Sequence, residues 1–111
     1  MRVCCTKNRS GSTRHALTLR AEYEVLGIEA GDFRLIDDLG EPCLFNPRLF
    51  RIVDPQRPRH WVSRSLDGLE YAYAPELARP GFFEDYFEGA HAARRAFNRY
   101  VNRYLRLTRA A

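Results

Sequence analysis

Residues 82–105 constrain the fold more than any other part of the chain. Phe82, Phe83, Tyr86, Phe87, Ala90, Ala93, Phe97, Tyr100, Val101, Tyr104 and Leu105 recur at helical spacing. With each residue advancing about 100° around a helix, they fall in one stripe roughly 140° wide. Glu84, Asp85 and Glu88 take the opposite side, as do Arg95, Arg99, Arg103, Arg106 and Arg109. The pattern predicts a long C-terminal amphipathic helix over 80–108, either continuous from Phe82 to Leu107 or broken into two at Gly89. Acids at its start and arginines toward its end suit the helix macrodipole, and Pro80 suits a helix start. An aromatic stripe of this kind is buried by docking on other structure, here a sheet. A continuous helix would run about 39 Å at a rise of about 1.5 Å per residue. That is longer than a small barrel is wide, so part of the stripe would overhang, and an overhang implies a partner or a homodimer.

The rest of the chain supplies strands. "RVCC" reads as a short first strand, and "TKNRSGSTRH" after it as a polar loop without regular structure. From Ala16 to Asp54, short runs of β-formers are separated by "EAGD", "DDLGEP" and "NP", the signature of several antiparallel strands. Apolar parity shifts at Leu26-Gly27, where Tyr23 and Val25 give way to Leu26 and Ile28. A bulge there would let one strand serve two sheets. "RHWVSRSLDGLEYAYAP" reads as an added hairpin over 58–75: Asp67-Gly68 offers the positive φ of a tight turn, and Leu69, Tyr71 and Tyr73 alternate along one arm. The linker "PQRPRH" is too short to separate two domains, so one domain is expected over 1–111.

Charge is unevenly placed. The formal net charge is +4; residues 1–83 nearly balance, 84–88 hold three acids, and 89–111 hold six arginines and no acid. Arg95, Arg99, Arg103 and Arg106 form a ridge at spacings of four, four and three, able to track a phosphate backbone. This makes them nucleic-acid-binding candidates, although the ridge carries no ring for base stacking.

Little in the sequence suggests catalysis. Asp37 and Asp38 are neighbours in a solvated turn, His15, His60 and His91 stand alone, and no nucleophile or phosphate-loop motif is present. The three cysteines, Cys4, Cys5 and Cys43, read as reduced thiols. A zinc site built from Cys4, Cys43 and His15 or His60 lacks any ligand pair at the usual spacing. The sequence therefore calls for no metal, no cofactor and no enzymatic activity. No apolar run approaches the roughly 20 residues that span a bilayer, and the amino terminus lacks the apolar core of a secretory signal, so a cytoplasmic chain is expected.

Residues 1–54 carry a family resemblance. Leu17, Thr18, Tyr23 and Val25, then Gly31, Asp32, Ile36, Asp37, Asp38, Gly40 and Glu41, then Leu49, Phe50 and Val53 match the pattern of a family. In this the segment resembles the small SH3-like β-barrel proteins of bacteria and phages, with their L-T-x-G-x-x-Y-x-V and G-D-x-x-x-I-x-D-D-x-G-E signatures. Arg20 stands where that pattern has glycine, and an ordinary β conformation is expected there. The resemblance implies an α+β chain: a five-stranded SH3-like antiparallel barrel, the added hairpin, and the C-terminal helix. It brings no catalytic residues and implies a small accessory protein that binds another protein, for instance of the immunity or inhibitor type. Trp61, Tyr71, Tyr73, Tyr100 and Tyr104 are the protein-binding candidates, since aromatic side chains anchor interfaces. The alternative is a nucleic-acid-binding module working through the arginine ridge.

Overall fold

A computed structural model describes residues 1–105. Arg106 of the ridge, Arg109 and the expected helix end lie outside the described residues. The chain is α+β, mostly antiparallel sheet followed by helices.

The strands are β1 (Arg2–Cys5), β2 (Arg9–Ser10), β3 (Thr13–Arg14), β4 (Glu22–Glu29), β5 (Asp32–Ile36), β6 (Pro42–Phe45), β7 (Phe50–Asp54), β8 (Val62–Leu66) and β9 (Leu69–Tyr73). A 3-10 turn, Pro47–Leu49, precedes β7. β4 organises the sheet. Its first half pairs with β1, which pairs with β7 on its other side; its second half lies between β5 and β9. β6 then pairs with β5, and β8 with β9.

The expected bulge is present: pairing with β5 slips between Val25 and Gly27. Its effect on the side chains follows directly. Val25 and Ile28 enter a strand core with Val3, Cys5, Leu17, Phe33, Leu35, Phe45 and Leu49, while Leu26 enters a second, largely aromatic core beneath the helices. The Leu66↔Leu69 pair closes on Asp67 and Gly68 at φ 52° and 77°, the left-handed pair that a two-residue hairpin needs.

Two expectations about the loop after β1 are corrected. The loop after β1 contains a small ladder, with Arg9 opposite Arg14 and Ser10 opposite Thr13. Arg20 is left-handed, at φ 70°. It occupies the third position of a turn closed by the Ala21 N–H to Thr18 oxygen bond (3.1 Å), and its own N–H donates to the Cys5 oxygen at 2.8 Å. These bonds hold it where glycine would sit without strain.

Of the two forms expected for the C-terminal helix, the one broken at Gly89 is present: α1 (Phe82–Phe87) and α2 (His91–Tyr100), followed by a π turn, Val101–Leu105. Gly89, at φ 86°, makes the break. Its N–H donates to the Tyr86 oxygen and that of Ala90 to the Asp85 oxygen, the paired bonds of a Schellman terminus. The turn takes Phe87 out of the stripe, leaving it 48% exposed, while Phe82, Phe83, Tyr86, Ala93, Phe97 and Tyr100 are buried together. Folding back removes the expected overhang: Val101, Tyr104 and Leu105 pack against the aromatic core.

Candidate functional site

Two of the five aromatic candidates lie in the interior. Tyr73 packs over Gly27, where an added Cβ would stand 2.1 Å from the ring. Its hydroxyl donates to Glu29 Oε1 at 2.8 Å and accepts from Arg34 Nε at 2.8 Å. Burial pushes this phenol far above its usual range, against the pull of the Arg34 charge. Arg34 is itself only 5% exposed. It also donates to the Pro42 oxygen (2.8 Å) and to Glu29 Oε1 (3.0 Å), and its guanidinium lies 3.9 Å from the centre of the Phe83 ring. One buried cation thus joins β4, β5, β6, β9 and α1.

Tyr100 is likewise buried. Its oxygen lies 3.2 Å from His60 Nε2, and its pKa is pushed up to about 12 by burial, partly offset by the nearby Trp61 indole. Tyr104, half-buried, stacks on His60 at 4.7 Å. Trp61, half-buried, touches both cores; Tyr71, half-buried, sits on β9.

What remains open is the outer part of the hairpin. Val62, Arg64 and Leu66 on β8 lie opposite Tyr73, Tyr71 and Leu69 on β9, so these six side chains share one face. At the strand base this face meets α1 and the preceding turn in a cleft of about 290 Å³, lined by Val62, Arg64, Tyr71, Tyr73, Pro80 and Phe83 among others. Toward the tip it is uncovered, with Leu66 48% exposed and Leu69 47%. All five residues of β8 are exposed, and among the described residues β8 pairs with β9 alone. The closing pair of a two-residue hairpin exchanges both backbone bonds, and bonded pairs alternate. Ser63 and Ser65 therefore direct their N–H and C=O groups away from β9. Leu66 and Leu69 were missed as site residues, although their alternation with Arg64 and Tyr71 is visible in the sequence.

Arg95, Arg99 and Arg103 are exposed along α2 and the π turn, and none is ion-paired among the described residues. Neighbouring Arg94 instead covers the Tyr86 ring at 4.5 Å.

The residues of the family-like pattern are tied to one another. The Tyr23 hydroxyl donates to Asp38 Oδ1 (2.6 Å) and accepts from the Thr18 N–H (2.9 Å), while Thr18 Oγ1 donates to Asp38 Oδ2 (2.7 Å). Asp37 Oδ1 accepts from the Leu39 and Glu41 N–H groups, closing the turn. These polar groups hold loops together. Burial raises the Cys5 and Cys43 thiol pKa values, which disfavours the nucleophilic thiolate. Among the described residues no three His, Cys, Asp or Glu side chains converge as a metal site requires. None of the helices there is long and apolar enough to cross a membrane. Comparison with protein-family models, curated proteins and solved structures finds no match to this chain.

Proposed function

We propose that this chain is a non-enzymatic binding protein that docks an extended segment of a partner protein along β8. The carrying observation is the open edge: five exposed residues, outward backbone groups at Ser63 and Ser65, and an apolar face running from Leu66 and Leu69 into the cleft beside α1. An added strand would satisfy those backbone groups, and its alternate side chains would cover Val62, Leu66 and Leu69. We place the strand arrangement in the small SH3-like barrel class. The bulged β4, which pairs with β1 through its first half and with β5 and β9 through its second, and the 3-10 turn before β7, support that assignment.

The test is selection of displayed extended peptides on the whole chain. Selected peptides should lose binding to the Ser63→Pro/Ser65→Pro variant, which removes two outward N–H groups, and to Leu66→Asp/Leu69→Asp. Both variants should keep the parent's near-UV circular dichroism. Peptides that bind all three chains equally, or a selection that yields none, would overturn the reading.

A second reading, nucleic-acid binding along α2, rests on Arg95, Arg99 and Arg103, exposed and without an ion pair among the described residues.

A further inference from the structure

The loop between β1 and β4 has no part in the hairpin site, and its charge is one-sided. Residues 6–21 contain Lys7, Arg9, Arg14 and Arg20 and no acid. Folding concentrates these charges. Arg9 and Arg14 stand directly opposite each other in the β2–β3 ladder, both exposed. Like charges in that position repel, so the free protein carries an unfavourable pair at its surface. Arg20 adds a second cost by holding a left-handed backbone that glycine would adopt freely.

Further cations come from β7 and the turn before it. The Thr6 and Lys7 N–H groups both donate to the Leu49 oxygen, which brings Arg48 beside the loop. Arg51 lies with Arg20 and Glu22 along a groove at the end of β1. Of the acids that border this surface, Glu22 is paired with Arg2, and Asp38 is turned toward Thr18 and Tyr23, whose hydroxyls donate to it. The loop is also fixed in shape. The His15 N–H donates to the Asn8 oxygen at 2.8 Å, Asn8 Nδ2 to the Leu17 oxygen at 3.3 Å, and Thr6 Oγ1 to the Leu49 oxygen at 3.2 Å.

From this geometry we propose that the β2–β3 ribbon, with Lys7, Arg20, Arg48 and Arg51, is a docking surface for the phosphate backbone of double-stranded nucleic acid. A polyanion would turn the Arg9–Arg14 repulsion into attraction, and a pre-ordered loop loses little entropy on binding. The ribbon tip, Ser10 to Thr13, adds hydroxyl donors suited to phosphate oxygens. A duplex fits better than a single strand. The only ring within the loop is His15, half-buried with its ring perpendicular to Phe45, which leaves no platform for an unstacked base. Contact through phosphates alone makes the binding independent of sequence.

The test is fluorescence anisotropy of a short labelled DNA duplex titrated with the whole chain across a salt series. The parent should bind with a logarithmic salt slope of roughly −3.5 to −5.5, reflecting about four to six neutralised phosphates. Arg9→Gln/Arg14→Gln should weaken binding about tenfold at moderate salt, reduce the slope by roughly 2, and leave the thermal midpoint unchanged or higher. Lys7→Gln/Arg48→Gln should reproduce the loss of binding from a different segment. A variant neutralising Arg95, Arg99 and Arg103 should bind as the parent does. The proposal is overturned if the parent shows no salt-sensitive binding, if the loss follows the α2 arginines, or if a polyglutamate peptide competes as well as unlabelled duplex. Either result leaves the peptide selection on β8 unaffected.

Discussion

Two tyrosines each donate to a carboxylate, and the two pairs differ in what surrounds them. Tyr23 meets Asp38 at the edge of the strand core, with Thr18 completing a small surface clasp. Tyr73 meets Glu29 beneath α1, where Arg34 supplies the balancing charge and Phe83 covers it. The first clasp joins two loops and can be opened with water ready to take its place. The second joins sheet to helix, and opening it strands a charge away from water, which is far more costly. The sheet therefore holds its loops with ordinary polar contacts, whereas one buried cation adds to the aromatic core that seats α1 on the sheet.

The comparison breaks most sharply at Arg34. Arg34→Met keeps the volume but leaves the Pro42 oxygen and the Tyr73–Glu29 pair without their donor, and should cost about 3 kcal/mol in urea unfolding. Gly27→Ala attacks the same joint from the other side of the Tyr73 ring. That ring cannot retreat while Arg34 and Glu29 hold its hydroxyl, so a loss of about 2 kcal/mol is expected. Tyr23→Phe removes the surface clasp and should cost about 1 kcal/mol by the same measurement, without loosening the helices in near-UV circular dichroism.

pH sharpens the contrast further. Tyr100 has a folded pKa of about 12, above its usual value of 10.0. Its stabilising contribution is complete below the ordinary phenol range and is lost as pH rises through the folded value. Thermal midpoints should therefore fall above about pH 10, by the equivalent of about 1 kcal/mol near pH 11, with Tyr73 acting in the same direction. At the acid end, hydrogen bonding to Arg57 holds the Glu70 carboxyl below its usual range. Its contribution is present above that range and lost as pH falls through the lowered value. Because both side chains are well exposed, this should be the smallest effect, abolished in Glu70→Gln.

Local chemistry was legible in the sequence, and long-range cover was not. β1, the bulge at Leu26-Gly27 and the Asp67-Gly68 turn each follow from a few neighbouring residues. Arg34 sits between Phe33 and Leu35, so alternation places it on the opposite face of β5, which reads as solvent until α1 covers it. Phe87 fails for the converse reason: its helical phase is right, but the chain turns at Gly89 before the stripe continues. Arg20 shows tertiary bonds overriding a residue preference. Trp61, Tyr71 and Tyr73 on the hairpin and Tyr100 and Tyr104 on the helix stripe read as an interface because rings anchor interfaces, yet the same apolar area draws rings inward, as Tyr73 and Tyr100 show. The open edge at β8 depends on which strands lack neighbours, and strand spacing alone does not encode that.

The most direct test of the docking account is amide hydrogen exchange along β8, measured on the free chain and with a selected peptide bound. The account predicts fast exchange at Ser63 and Ser65 in the free chain and protection when the peptide is added, with Val62, Arg64 and Leu66 protected in both states. Slow exchange at Ser63 and Ser65 without a ligand, or binding that leaves them unprotected, would contradict it.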